Sequence, residues 1–79
     1  MIEWDPTRSK WSQIADEIVR RIDAGVYQPH TLILEIRLAE EFGVARLTVR
    51  KAIAHLREAG VVRTEPGIGS SIMPRKAEE

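Results

Sequence analysis

The 79-residue chain contains no cysteine. Disulfides, cysteinyl zinc sites and thiol nucleophiles are therefore excluded, and helix packing must hold the fold. The chain also carries no net charge, since twelve Lys and Arg balance twelve Asp and Glu. Together with 43% hydrophobic residues, that argues against disorder. Long apolar runs are missing as well. Stretches such as Leu32-Ile33-Leu34 fall far short of the roughly 20 residues that a membrane span needs. Near the N-terminus stand Glu3 and Asp5, where an export signal would have a basic segment and then an apolar one. No membrane association and a cytoplasmic location are the resulting expectations. His30 and His55 have no companion ligands at metal-site spacing, so no metal is expected. There is no nucleophile–base–orienter set, and too little chain to enclose a pocket. An enzyme is not expected, nor is a cofactor.

What is present fits one small domain. At this size only about 60% of the surface exposed by the unfolded chain is buried, so the core is thin. Residues 1–8 read as a lead-in with Asp5-Pro6-Thr7 as turn chemistry, 9–73 as the folded domain, and 74–79 as a loose charged tail. Ser9 is a suitable N-cap. Residues 10–24 have apolar Trp11, Ile14, Ala15, Ile18, Val19 and Ile22 at helical spacing, with Gln13 among the intervening polar positions, and Gly25 as a stop. Gln28-Pro29-His30-Thr31 is a turn signal, and Leu32-Ile33-Leu34 could be a short strand. A second helix is expected over 35–42, with Leu38, Ala39 and Phe42 inward. A third is expected over 46–59, with Leu47, Val49, Ala52, Ile53 and Leu56 as apolar contacts. Val61–Thr64 and Ser70–Met73 read as a hairpin around Glu65-Pro66-Gly67-Ile68-Gly69. The fold class is thus mainly α with a small hairpin, a winged helix-turn-helix. The cluster Leu32, Ile33, Leu34 and Ile36 either packs in the core or forms an exposed dimer patch.

The stretch Leu38 to Ala52 carries the functional signal. Gly43 suits the turn, Ala39 lets two helices approach, and Val44 and Val49 pin the turn and third helix to the core. Arg46, Thr48 and Arg50 then fall on the early, outward part of the third helix. In a helix-turn-helix that part enters the major groove, where Arg reads guanine and Thr meets a thymine methyl or a phosphate. Residues 44–63 hold Arg46, Arg50, Lys51, Arg57 and Arg63 against Glu58 alone, a local charge of +4 that leaves −4 on the rest. The neutral total hides a basic element on an acidic body.

Several segments in order carry a family resemblance. They are Gln13–Ile18, Gly25–Pro29, Leu38–Val44, Arg46–Ile53, Leu56, Gly60–Val62 and Gly67–Ser70. Together they resemble the DNA-binding domain of GntR-family bacterial transcription regulators over roughly residues 9–73. The resemblance implies a winged helix-turn-helix that binds operator DNA, commonly as a dimer on a palindrome. It implies that Ala45, Arg46, Leu47, Thr48 and Arg50 face the major groove or its phosphates, with Lys51 beside them. Pro66 and Gly67 would then sit at a wing tip entering the minor groove. The family usually has Ser or Thr where this chain has Ala45, often Thr at Leu47, and often a DNA-contacting Arg at Ile36, for which Arg37 next door could substitute. Family members usually carry an effector-binding, dimerising domain that lies beyond these residues. The expectations are therefore double-stranded DNA as partner, no small-molecule effector within this chain, and at most a weak homodimer that pairs on DNA. The alternative is a winged-helix module that contacts protein instead.

Overall fold

The computed structural model describes residues 3–74. Residues 75–79, and with them most of the expected loose tail, lie outside the described residues. Helix α1 spans Lys10–Asp23, strand β1 Leu32–Ile33, α2 Glu35–Phe42, α3 Arg46–Glu58, β2 Val62–Glu65 and β3 Gly69–Ile72.

Helix α1 starts where a hydroxyl can close its first turn. The Ser12 amide donates to Ser9 Oγ at 3.4 Å, which satisfies one of the helix's orphan N–H groups. Gln13 belongs to the interior, although its polarity suggests a surface position. It is only 6% exposed. Its Oε1 accepts from the Asp5 amide at 2.7 Å. Its Nε2 donates to the Asp5 carbonyl at 2.9 Å and to the Arg8 carbonyl at 3.2 Å. The amide is thus satisfied on both sides, the condition for burying it without a large penalty. It ties the lead-in to α1 and brings Trp4 edge-on against Phe42, with ring centroids 6.4 Å apart.

The core joins all the elements. Ile14, Ile18, Val49, Ile53 and Ile72 have almost no exposed surface. Around them lie Ala15, Ile22, Ile33, Leu38, Ala39, Phe42, Ala52, Leu56 and Val62. Helix α3 packs against α1, α2 and β2 and so forms the centre of the domain. Trp11, Val44 and Val61 are half-buried and pack against this cluster. Trp11 also faces His55, with ring centroids at 5.4 Å.

The hairpin is part of a three-stranded antiparallel sheet in the order β1-β3-β2. Leu32 pairs with Ser71 and Ile33 with Ser70, so the short strand near 32–34 forms. The hairpin forms as expected, its strand bounds lying one residue nearer the turn, with Val62 opposite Ile72 and Glu65 opposite Gly69. Of the apolar cluster at 32–36, only Ile33 enters the core. Leu32, Leu34 and Ile36 are each more than half exposed. Strand alternation explains the first part, because pairing with β3 turns Ile33 inward and its neighbours outward.

Candidate nucleic-acid interface

Helices α2 and α3 are joined by a turn that requires a left-handed residue. Gly43 takes it, at φ 67° and ψ 39°. The Val44 amide then donates to the Ala39 carbonyl at 3.1 Å. This closes α2 and lets Ala45 begin α3 immediately. Ala45 is the N-cap and makes no side-chain capping bond. The Thr48 amide donates to the Ala45 carbonyl at 3.0 Å, so the first turn closes on backbone alone.

Four side chains of the early α3 face solvent. Arg46 and Arg50 are each 58% exposed, and Lys51 is exposed beside them. Leu47 is 60% exposed. Leu47 is therefore not the core contact that its place in the apolar pattern suggests. At about 100° per residue it points roughly 170° away from the mean direction of Val49, Ala52, Ile53 and Leu56. Thr48 lies on the flank of the helix and is half-buried.

Glu35, the first residue of α2, organises the two arginines. Arg46 Nη2 donates to Glu35 Oε1 at 3.4 Å. Arg50 Nη2 donates to the same oxygen at 3.2 Å and its Nε to Glu35 Oε2 at 3.4 Å. Arg50 first, and Arg46 after it, hold the Glu35 carboxyl below the ordinary carboxylate range. These are long bonds at a wet surface, where ion pairs contribute about 0–1 kcal/mol. The guanidiniums are oriented yet readily exchanged for another anion. The sequence pattern contained no signal for this pairing, because Glu35 lies 11 and 15 residues from its partners. Only the turn at Gly43 brings them together.

Arg37 is not part of this cluster. Two residues beyond Glu35 is about 200° around the helix. Arg37 instead lines a shallow depression of about 270 Å³ with Tyr27, Leu32, Ile33, Leu34, Leu38 and Glu41. At its edge, Glu41 is bonded by Arg21, which also holds Glu17 and the Tyr27 hydroxyl.

The turn between β2 and β3 places Pro66, Gly67 and Ile68 at an exposed tip. Gly67 has φ 80°, and a Cβ there would meet nothing within 4 Å. The glycine thus serves backbone conformation and leaves a tip almost free of side chains except Ile68, which is exposed. At the wing base, Arg57 Nη1 donates to Thr64 Oγ1 at 3.3 Å, and Thr64 and Ser70 share a hydroxyl bond of 2.9 Å. Arg57 of α3 is thereby linked to the hairpin.

The family model described as "Bacterial regulatory proteins, gntR family" matches residues 10–72. The chain belongs to this gntR family. It is 41% identical over 63 residues to the uncharacterized HTH-type transcriptional regulator YieP of Escherichia coli, covering 78% of this chain and 27% of YieP. It is 34% identical over 68 residues to the HTH-type transcriptional repressor NagR of Bacillus subtilis, covering 85% of this chain and 28% of NagR. The chain thus spans about a quarter of the length of these curated relatives. Among solved structures, a GntR family transcriptional regulator from Listeria monocytogenes superposes with a TM-score of 0.85 at 27% identity, over 94% of this chain and 66% of that one. The DNA-binding domain of AraR, solved in complex with operator ORR3, gives a TM-score of 0.74 at 36% identity, over 80% and 77%. The gntR-family chain has the winged-helix architecture of these neighbours.

Proposed function

We propose that this gntR-family chain is the DNA-reading part of a transcription regulator. Helix α3 enters the major groove of duplex DNA, and the tip at Pro66–Gly67 approaches the minor groove. The observation that carries this reading is the cluster at the start of α3. Arg46, Arg50 and Lys51 project from a rigid helix, and two of them are oriented in advance by Glu35. Arginine is suited to the paired acceptors of guanine, and such contacts discriminate by about 1–3 kcal/mol each. That the related AraR DNA-binding domain was solved in complex with an operator supports duplex DNA as the partner. Thr48 and the exposed Ala45 stand where phosphates pass, and Arg37 reaches a phosphate from the far flank of α2. The chain acts by binding and not by catalysis, in the compartment that holds the DNA. It binds a palindromic operator as two copies while remaining a monomer or weak dimer when free.

A gel shift with sites selected from a random DNA pool, against unselected duplex across a salt series, tests this reading. Selective binding that weakens steeply with salt is expected. Equal affinity for selected and unselected duplex would reduce the chain to a nonspecific polycation binder, and no binding would leave the protein-contacting alternative.

A further inference from the structure

Leu47 departs from the chemistry around it. It is 60% exposed, points away from the core, and stands among three exposed cations: Arg46 beside it, Arg50 three residues on and Lys51 four residues on. Residues three and four apart, as Arg50 and Lys51 are from Leu47, are neighbours on a helix surface. It belongs neither to the core cluster nor to the half-buried residues packed on it, so folding does not require a hydrocarbon there. It cannot hydrogen-bond to a phosphate or to the polar edges of guanine, cytosine or adenine. The major groove offers one apolar group of matching character, the C5 methyl of thymine.

We infer that Leu47 is a specificity-determining residue that selects a thymine, through its 5-methyl group, next to the bases or phosphates engaged by Arg46 and Arg50. This rests on the DNA-reading function proposed above and adds to it the chemical group that the site requires. The arginines bring the start of α3 to the groove floor, and Leu47 then loses its exposed surface against the methyl. A polar edge at the same place leaves a desolvated donor or acceptor facing hydrocarbon, which disfavours it. The position therefore chooses 5-methylpyrimidine over the other bases by contact with a single carbon.

Replacing thymine by deoxyuridine removes that carbon and nothing else, which permits a direct test. A duplex selected by this protein from a random pool is remade with each thymine in turn changed to deoxyuridine, and affinity is measured by fluorescence anisotropy. For the wild-type chain, one thymine per half-site should show a loss of about fourfold, the worth of one buried methyl-sized group. In Leu47→Ala the same replacement should cost less than about 1.5-fold, because the partner of the methyl is gone. Leu47 is exposed and alanine is the better helix former, so the variant keeps its fold, which circular dichroism checks. If no deoxyuridine replacement weakens the wild type, or if the loss persists in Leu47→Ala, the inference fails while selective binding of the pool-derived site leaves the proposed function standing. If the pool yields no preferred sequence at all, both fail together.

Discussion

The first helix and the helix pair that follows begin in opposite ways. Helix α1 opens on a hydroxyl cap at Ser9 and is clasped to the lead-in through buried Gln13. Helices α2 and α3 open on Leu34 and Ala45, and neither supplies a capping side chain. Their first turns close on backbone bonds alone, as from the Thr48 amide to the Ala45 carbonyl. The stability of α2 and α3 thus comes from the apolar faces they bury, and that of α1 from both burial and closed polar ends. The difference separates a scaffold that is complete by itself from the surface proposed to read DNA, whose polar groups are only loosely engaged. Charge divides differently, with +4 over residues 44–63 and −4 on the rest of the chain, α2 included.

The sharpest break in that comparison is expected from the scaffold. Ile18→Ala removes a side chain with no exposed surface and should cost about 2–5 kcal/mol by urea denaturation. On a domain of this size that is a large share of the total. Affinity of the molecules that remain folded should not change. A loss of affinity beyond the unfolded fraction would blur the boundary between scaffold and surface.

The reading surface should behave the opposite way. Arg50→Ala is expected to weaken binding to a selected site by about 1–3 kcal/mol, and binding to unselected duplex by less. Its stability should move by less than about 1 kcal/mol, because it gives up only a surface pair with Glu35. Equal losses on both duplexes would make Arg50 a phosphate anchor.

The caps provide a matched pair of smaller tests. Ser9→Ala should destabilise the domain by about 1 kcal/mol, and Ala45→Ser should stabilise it by a similar amount, both read from urea midpoints. If Ala45→Ser leaves the midpoint unchanged, the start of α3 is already satisfied and the contrast between the two halves weakens.

The smallest effect is expected with pH. Glu17 is held at about 2 instead of the usual 4.5, by Arg20 first and Arg21 after it. A carboxylate whose folded pKa is depressed contributes stability above its unfolded value and loses it as pH falls through the folded one. Stability should therefore decline between about pH 4.5 and 2. In Glu17→Gln part of that decline should be missing, on the scale of about 1 kcal/mol, because Arg20, its first partner, is largely exposed. An identical acid profile in the variant would show that other carboxylates set it.

Elements with strong periodicity were legible in the sequence. The spacing of Ile14, Ile18 and Ile22 defines α1, and Gly43 between Phe42 and Val44 defines the turn, because each signal is local. Three features were hidden for a common reason. Gln13 reads as a surface residue until the chain folds back at Asp5. Glu35 reads as an ordinary helix-start acid until α3 crosses it. Leu47 fits an apolar pattern by spacing but falls on the outer side of α3. Each depends on contact between distant segments, or on which face of a helix meets the core, and periodicity alone resolves neither. Arg46 and Arg50 lie on the exposed early part of α3, as their spacing predicts, whereas Arg37 lies on the other flank of α2.

The pairing of β1 with β3 has a mechanical consequence. The His30 amide donates to the Ile72 carbonyl at 2.7 Å, and the Ile72 amide to the Thr31 carbonyl at 2.9 Å. The wing is therefore fastened to the segment that leads into α2, and only Leu34 separates that segment from Glu35. The chain path from the tip at Gly67 along β3 to Ile33 ends two residues from the carboxylate that orients Arg46 and Arg50. In the docking proposed above, the wing tip and α3 are then spaced for two grooves before contact, so that the entropy of alignment is lost once instead of twice.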